Sequence, residues 1–269
     1  MKKTPLAFPD RIRVVANVLD LDTNRYSIEL EFRDINGKWS SAILPRRITS
    51  SGYAALKDLL DLGAHLPTGP GAGNQLASLL SLPPDRTYRI TGKTGWHEEP
   101  KSFVLPDVTI GPDADTLIHA SRKSSETVEP ATKGSLNGWL DGLRDPCRAS
   151  SYLTFGIGMA FAAPLLHLVG QDEGAIFYLA GDSTTGKTLT ELAGLSASER
   201  AARDSLLTHD AFDRAVEEHC AAHNDLLLIV DEISRMTGSQ AECRAKVRRL
   251  THKITGGGGS RRSAKARQD

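Results

Sequence analysis

The sequence predicts an α/β protein in two parts: an N-terminal, strand-rich α+β domain, then a domain in which helices flank a parallel sheet. Three observations favour this architecture. Segments that alternate polar and apolar residues dominate the first part, a polar stretch interrupts the chain near its middle, and short continuous apolar runs follow that stretch. The chain has 269 residues, which suffices for one large domain or two modest ones.

The first domain is predicted to span residues 1–120 and to mix strands with short helices. Alternating residues and turn chemistry predict the strands, above all the Asp-Ile-Asn-Gly turn at 34–37. Apolar residues at helical spacing predict the helices. In chain order, the predicted elements are strands at 11–19, 25–32 and 38–44, helices at 51–62 and 74–82, and strands at 87–91, 102–105 and 116–120.

Residues 121–133 are rich in Ser, Thr, Glu, Lys and Pro, and they predict a linker because so few apolar side chains cannot form a core. The second domain is then predicted at 134–269, beginning with helices at 135–143 and 149–169. Its last part, 254–269, is Gly-rich and basic. Over the whole chain, Lys plus Arg and Asp plus Glu both number 33, so no overall charge favours nucleic acid or a membrane surface.

Residues 152–169 are almost all apolar or small, which raises the question of a membrane helix. The segment contains Pro164 and His167 and falls short of the roughly 20 residues of a confident span. It therefore predicts a buried core helix and a protein without a membrane segment. The three cysteines are widely spaced and form no CxxC pair, which favours free thiols in a reducing compartment, and we expect a cytoplasmic protein without a signal peptide.

The strongest motif follows a short apolar run at 176–180 that predicts a strand buried on both faces. It fits G-x-x-x-x-G-K-[ST] at every fixed position and precedes a predicted helix at 189–195, which is the context of a phosphate-binding P-loop. Its eight residues are Gly181, Asp182, Ser183, Thr184, Thr185, Gly186, Lys187 and Thr188. The motif predicts ATP and Mg²⁺ as cofactors, with Lys187 on the β- and γ-phosphates and the Thr188 hydroxyl on the metal.

A second run, Leu-Leu-Leu-Ile-Val at 226–230, ends in Asp231 and Glu232. It predicts a buried parallel strand that brings two carboxylates to the ligand-binding edge of a sheet. We expect Asp231 to hold the Mg²⁺ hydration shell, and Glu232 to orient or deprotonate the water that attacks the γ-phosphate. Because apolar runs ending in two acids are common, this assignment depends on the P-loop.

Two other features have a structural and a functional interpretation. His219 and His223 lie at helical i, i+4 spacing, which suits a metal, but no third ligand is evident and an exposed pair is favoured. Trp96 and His97 could stack on a base, whereas a tryptophan in a strand-rich region is more often part of the core.

Several segments together resemble a known family: Thr94-Gly95-Trp96-His97, Phe-Val-Leu-Pro-Asp at 103–107, Ala-Pro-Leu-Leu at 163–166, the P-loop, and His-Asn-Asp at 223–225 before the acidic strand. The chain resembles the bacterial and phage DUF927 family. That resemblance implies a P-loop ATPase related to AAA-type replicative helicases, frequent on prophages and other mobile genetic elements. It also implies a role in DNA replication, homo-oligomers in full-length members, and nucleotide-site roles for Lys187, Thr188, Asp231 and Glu232.

Members of the family normally continue past the acidic strand through elements that carry a polar sensor and an arginine, so we expect a truncated chain. The leading hypothesis is an ATP-driven motor acting on single-stranded or duplex DNA. The alternative is a nucleotide-dependent regulatory or scaffold module without productive hydrolysis. A small-molecule kinase would require an arginine-rich lid, for which the sequence offers no candidate.

Overall fold

The structure is a computed structural model that describes residues 8, 10–84, 86–97, 102–123, 134–171, 174–182, 184–198, 201–202, 206–208, 216–231, 241–242, 244–245, 247–248 and 251. The strands are β1 Ile12–Asp20, β2 Arg25–Arg33, β3 Trp39–Pro45, β4 Thr87–Thr91, β5 Gly95–His97, β6 Ser102–Val104, β7 Thr109–Ile110, β8 Leu117–His119, β9 Leu207–Thr208 and β10 Val230–Asp231. The α-helices are α1 Gly52–Asp61, α2 Ala72–Leu80, α3 Leu136–Ala149, α4 Ser151–Leu168, α5 Lys187–Leu195 and α6 Val216–Ala222, with 3-10 turns at Arg46–Ser50 and Ala120–Lys123. The prediction of a mixed α/β protein is confirmed.

The chain forms two compact units. The first comprises Met1–Gly92 and Val108–Glu126, and the second comprises Lys93–Asp107 and Thr127–Asp269. The change from one unit to the other at Glu126 falls inside the predicted linker. The segment Lys93–Asp107, predicted within the first domain, instead groups with the second unit, because residues 94 and 96 hydrogen bond to residues 164 and 221–225.

A five-stranded mixed sheet with the order β3-β2-β1-β4-β8 forms the first unit. β1 pairs antiparallel with β2, and β2 with β3, whereas β4 runs parallel to both of its neighbours. The turn between β2 and β3 is fixed by Asp34, whose Oδ1 accepts hydrogen bonds from the backbone N–H groups of Asn36 and Lys38 at 2.9 and 2.8 Å. The strands predicted here from alternation are confirmed.

Helices α1 and α2 cover one face of this sheet and enclose the larger core. Helix α1 begins after Ser51, whose side chain accepts a hydrogen bond from the N–H of Ala54, as expected of an N-cap serine. The fully buried side chains of this core come from both layers: Ile12, Ile28, Leu30, Phe32, Leu59, Leu76 and Leu80. The opposite face carries a smaller cluster, in which the hydroxyl of buried Tyr88 donates a hydrogen bond to Glu29 at 2.9 Å.

The second unit contains helices α3 to α6, the antiparallel β5–β6 pair and the parallel β9–β10 pair. Helices α4 and α5 approach closely where Gly156 faces Thr190 and Gly194. A Cβ atom added to Gly156 would lie 2.5 Å from the carbonyl oxygen of Thr190. The absence of a side chain at this position therefore permits the close packing of α4 on α5.

Helix α4 is not the buried core helix that its composition predicts. Its buried residues are Leu153, Gly156 and Ala160, which share the face toward α5, while Phe161 and Leu165 are 53% and 54% exposed. Within the described part of the chain, Ser151–Leu168 is the helix long and apolar enough to cross a membrane by length and composition alone, and 17% of that window is buried. One such helix is weak evidence, because the core helices of soluble proteins pass the same test.

The two predicted strands of the second domain are shorter or missing in the structure. The run 176–180 forms no β-ladder with any described residue, and Phe177 and Tyr178 are 57% and 70% exposed, so its prediction as a buried strand is wrong. The run before the acidic pair forms a strand only at Val230–Asp231, which pairs in parallel with Leu207–Thr208. The second run therefore forms a parallel strand as predicted, but a shorter one, and residues 226–231 are half-buried instead of buried.

Candidate functional site

The loop at 181–186 enters helix α5 through a left-handed turn. Gly186 has a φ of +91°, which glycine adopts without a steric penalty, and it immediately precedes Lys187, the first residue of α5. Thr184 also has a positive φ of +68°. Gly186 has no side chain that could accept a hydrogen bond from the first N–H groups of α5. The positive end of the helix dipole lies at the loop.

The side chain of Lys187 folds back across the loop. Its Nζ atom donates hydrogen bonds to the carbonyl oxygens of Gly181 and Asp182, at 2.8 and 2.6 Å. The hydroxyl of Thr185 donates to the same Asp182 carbonyl, at 2.9 Å. The ammonium group is therefore held against the backbone of the loop, and half-buried Thr188 follows it in the first turn of α5.

One turn further along α5 lies Glu191, whose carboxyl group is affected by charges from both the loop and the acidic strand. Burial raises the pKa of its carboxyl group, the negative charge of Asp231 raises that pKa further, and Lys187 partly offsets the shift. Asp231 and Lys187 are thus both close enough to act on one carboxylate. The Oε2 atom of Glu191 is buried and accepts no hydrogen bond from the residues that the structure describes.

We expect Glu191→Gln to stabilise the protein when neither nucleotide nor metal is present. A raised carboxyl pKa means that the folded protein holds the proton more tightly, so stability falls as pH rises from the usual carboxyl range through the raised pKa. The uncharged amide avoids that loss. The variant should melt about 1–4 °C higher than the parent at pH 8, and the difference should vanish near pH 4.

Thermal melts across this pH range test the prediction, with exposed Glu218→Gln on α6 as the matched control. A difference in melting temperature that is the same at pH 4 and pH 8 would contradict the assigned cause.

The structure brings together part of the predicted site. Gly181, Asp182, Thr185, Gly186 and Lys187 form one hydrogen-bonded loop. Asp231 lies at the end of β10, within electrostatic reach of α5. Ser183 and Glu232 lie outside the described residues, as do the linker beyond residue 123 and the tail at 254–269. Glu191 was missed by the sequence analysis, although its i+4 spacing from Lys187 would have placed it on the same face of α5.

The two secondary candidates have structural partners. Trp96 is half-buried, with its indole N–H donating to the carbonyl of Pro164 at 2.8 Å and its ring edge-on to Phe103 at 5.0 Å between centroids. Nδ1 of His223 lies 2.8 Å from the carbonyl oxygen of His219. Among the described residues, no group of three or more His, Cys, Asp or Glu side chains has the arrangement of a metal site.

Comparison with known proteins identifies the family. The family model for DUF927, a domain of unknown function, matches residues 2–268. The chain belongs to the DUF927 family. No curated protein matches the chain.

Among solved structures, this DUF927 chain is similar to one described as "SCCmec type IV Cch - active helicase", with a TM-score of 0.60 and 18% sequence identity. The similarity covers 83% of this chain and 44% of the helicase, so the chain spans less than half the length of that protein. At this identity the likeness establishes a shared fold.

Proposed function

We propose that this DUF927 chain binds ATP with Mg²⁺ at residues 181–188 and hydrolyses ATP within a helicase-like motor acting on DNA. The observation that supports the nucleotide part best is the position of Lys187. Its ammonium lies across the loop carbonyls at the start of α5, and its charge opposes that of Asp231 in its effect on the Glu191 carboxyl group. A cation, an uncapped helix start and an acidic strand end are the components that an ATP site of this class requires.

Each residue has a role that matches its chemistry. The N–H groups from Gly181 to Gly186 and the first turn of α5 would hold phosphate oxygens, and Lys187 would exchange its loop carbonyls for the β- and γ-phosphates. Thr188 and Asp231 supply the hydroxyl and carboxylate oxygens that Mg²⁺ prefers. When bound, the metal would neutralise charge on the transferred phosphoryl group. Glu232 would orient or deprotonate the attacking water.

The residues present fit this cofactor in a further respect. A buried carboxylate oxygen without a hydrogen-bond partner is costly, and Oε2 of Glu191, near the charges of Asp231 and Lys187, has no such partner among the described residues. A water molecule held by Mg²⁺ near Asp231 would donate the hydrogen bond that this oxygen lacks. Glu191 would therefore supply a hydrogen-bond acceptor to the second coordination sphere of a metal held by Thr188 and Asp231.

The DNA part of the proposal has indirect support. The fold is shared with a protein described as an active helicase. From Ala241 onward the sequence is also rich in Lys and Arg, with nine such residues against two acids, Glu242 and Asp269. Clustered cations can follow a phosphate backbone. Cytoplasmic location and homo-oligomerisation belong to the same proposal.

The decisive experiment measures ATP binding by calorimetry and ATP turnover with and without single-stranded or duplex DNA. A motor predicts turnover that rises when DNA is added. Glu232→Gln should keep ATP affinity while turnover falls by about 100-fold or more, as expected for loss of a general base. Binding without turnover, with or without DNA, would replace the motor by the regulatory module, and no binding at all would overturn the nucleotide assignment.

A further inference from the structure

Three segments that are distant in sequence meet on one side of the second unit. Thr94 is fully buried, and its hydroxyl lies 2.9 and 3.0 Å from the carbonyl oxygens of Ala222 and Asn224. Its backbone N–H donates to the carbonyl of Ala221 at 3.2 Å. The side-chain amide of Asn224 returns a hydrogen bond to the carbonyl of Thr94, also at 3.2 Å. Each of the two segments, at Thr94 and at 221–224, thus donates hydrogen bonds to the other.

Trp96 extends this contact to a third segment. Its backbone N–H donates to Oδ2 of Asp225 at 2.9 Å, while its indole N–H donates to the carbonyl of Pro164 in α4 at 2.8 Å. We call the set of residues Thr94, Gly95, Trp96, Pro164, Asn224 and Asp225 the clasp. Its members come from three of the segments on which the family resemblance depends, and none of them belongs to the loop or to the acidic pair.

The backbone of the clasp leaves no space for a side chain at Gly95. A Cβ atom there would lie 2.4 Å from Oδ2 of Asp225 and 2.5 Å from the carbonyl oxygen of Asn224. Gly95 has a φ of +89° and Asp225 a φ of +57°, so both sides adopt left-handed conformations. A glycine in this position is required by the close approach of two backbones, and the clasp has one specific geometry.

The clasp lies directly before the acidic strand. Asp225 is followed by the apolar run that ends at Asp231, so a fixed Asp225 fixes the start of that run. Further along, Leu227 contacts α5: a Cβ added to Gly194 would lie 2.9 Å from its Cδ2. At the far end, Asp231 acts on Glu191 of the same helix.

Helix α4 connects the clasp to the phosphate loop by a second route. Its Pro164 accepts the hydrogen bond from Trp96, and two turns earlier its Gly156 packs against Thr190 and Gly194 of α5. The acidic strand and α5 are therefore joined through the clasp and α4 as well as directly. Loosening the clasp releases one of the two constraints on the separation between Asp231 and Lys187.

We propose that the clasp is a positioning element that sets the distance of the Asp231 carboxylate from the phosphate loop and thereby the Mg²⁺ requirement of nucleotide binding. This inference rests on the proposed ATP site. It assigns a role to Thr94, Trp96, Asn224 and Asp225, which lie outside that site. Metal-free nucleotide contacts, made by the loop and Lys187, do not depend on it.

The test uses Thr94→Val, which keeps the shape and removes the hydroxyl, and Trp96→Phe, which keeps a ring beside Phe103 and removes the indole donor. Trp139→Phe is the matched control, since Trp139 also donates one indole hydrogen bond, to Ser196 at 3.0 Å, and packs edge-on against a phenylalanine, Phe161. The full chain is titrated with Mg²⁺ at fixed fluorescent ATP analogue, and binding of the analogue is also measured in EDTA.

Both clasp variants should raise the Mg²⁺ concentration for half-maximal binding by about 3- to 10-fold, the effect of losing one hydrogen bond, with affinity in EDTA unchanged. Trp139→Phe should leave both values at those of the parent even where its melting temperature falls equally. If Thr94→Val fails to fold, Trp96→Phe carries the test. An unchanged Mg²⁺ requirement in a folded clasp variant overturns the inference alone, whereas a parent that binds no analogue overturns it together with the ATP site.

Discussion

Replacement of Lys187 by alanine is expected to weaken ATP binding by about 100-fold or more. The reason is the loss of two charge-assisted hydrogen bonds from its ammonium group to the β- and γ-phosphates, of roughly 1.5–3 kcal/mol each. The structure holds this ammonium against the carbonyls of Gly181 and Asp182, so the substitution removes the central cation of the loop. The remaining N–H groups of α5 would still attract phosphate, but without a full positive charge. Calorimetric titration with ATP and Mg²⁺ measures the effect.

Lys57→Ala is the matched control, since Lys57 is an exposed lysine on α1 in the first unit. It should bind ATP as the parent does. Because Lys187 also ties the loop to itself, melting curves of both variants must accompany the titration, and a loss of binding counts only if Lys187→Ala remains folded. Equal ATP affinity in Lys187→Ala and the parent would show that Lys187 does not bind ATP.

The sequence predicted the helix that follows the loop at 181–186 because the signals for it lie in neighbouring residues. Glycine at 181 and 186 and lysine at 187 are a fixed spacing, and the helix that follows begins at Lys187, two residues before its predicted start at 189. The turn at Asp34–Gly37 and the alternating strands of the first unit were predictable for the same reason. Local spacing determines hydrogen bonds that close within a few residues.

Burial of the apolar segments could not be predicted in the same way. The runs 152–169 and 176–180 have the composition of core elements, yet α4 buries one face and Phe177 and Tyr178 are largely exposed. Composition gives the preference of a segment for burial but does not identify which element covers it. The edge-on pair of Phe155 and Phe177, 5.2 Å between centroids, joins these two segments to each other.

Contacts between residues that are distant in sequence could not be predicted either. Thr94 and Asn224 are 130 positions apart, and no periodicity relates them. Gly95 and Trp96 belong to a segment of the family resemblance, but the requirement for a glycine beside the tryptophan comes from the close approach of Asp225. Glu191 is not evident from the sequence because a glutamate on a helix is ordinarily solvated, and its proximity to the charge of Asp231 depends on a segment that is distant in sequence.

The second large effect is expected at the crossing of α4 and α5. Gly156→Ala places a Cβ atom 2.5 Å from the carbonyl oxygen of Thr190, closer than atoms in contact tolerate. A backbone carbonyl cannot rotate away, so the helices must separate. Alanine gains up to about 1 kcal/mol over glycine in a helix, but overpacking of this kind costs about 1–3 kcal/mol, and we expect a net loss of stability in the second unit.

Gly158 supplies a control two residues away in the same helix. A Cβ atom added there meets nothing within 4 Å, so Gly158→Ala should stabilise the unit by up to about 1 kcal/mol through helix propensity alone. The two substitutions are chemically identical and predict opposite signs. Denaturant unfolding is best followed by fluorescence in a Trp39→Phe background, because the remaining two of the three tryptophans, Trp96 and Trp139, both lie in the second unit.

Stabilisation by both alanines would mean that α4 does not pack on α5 through Gly156. The crossing also affects the proposed ATP site, since α5 carries Lys187 and Glu191 and cannot move from α4 without moving them. Gly156→Ala should therefore weaken nucleotide binding in the folded protein, whereas Gly158→Ala should leave it unchanged. A folded Gly156→Ala variant with the ATP affinity of the parent would show that the loop holds its geometry independently of the helix behind it.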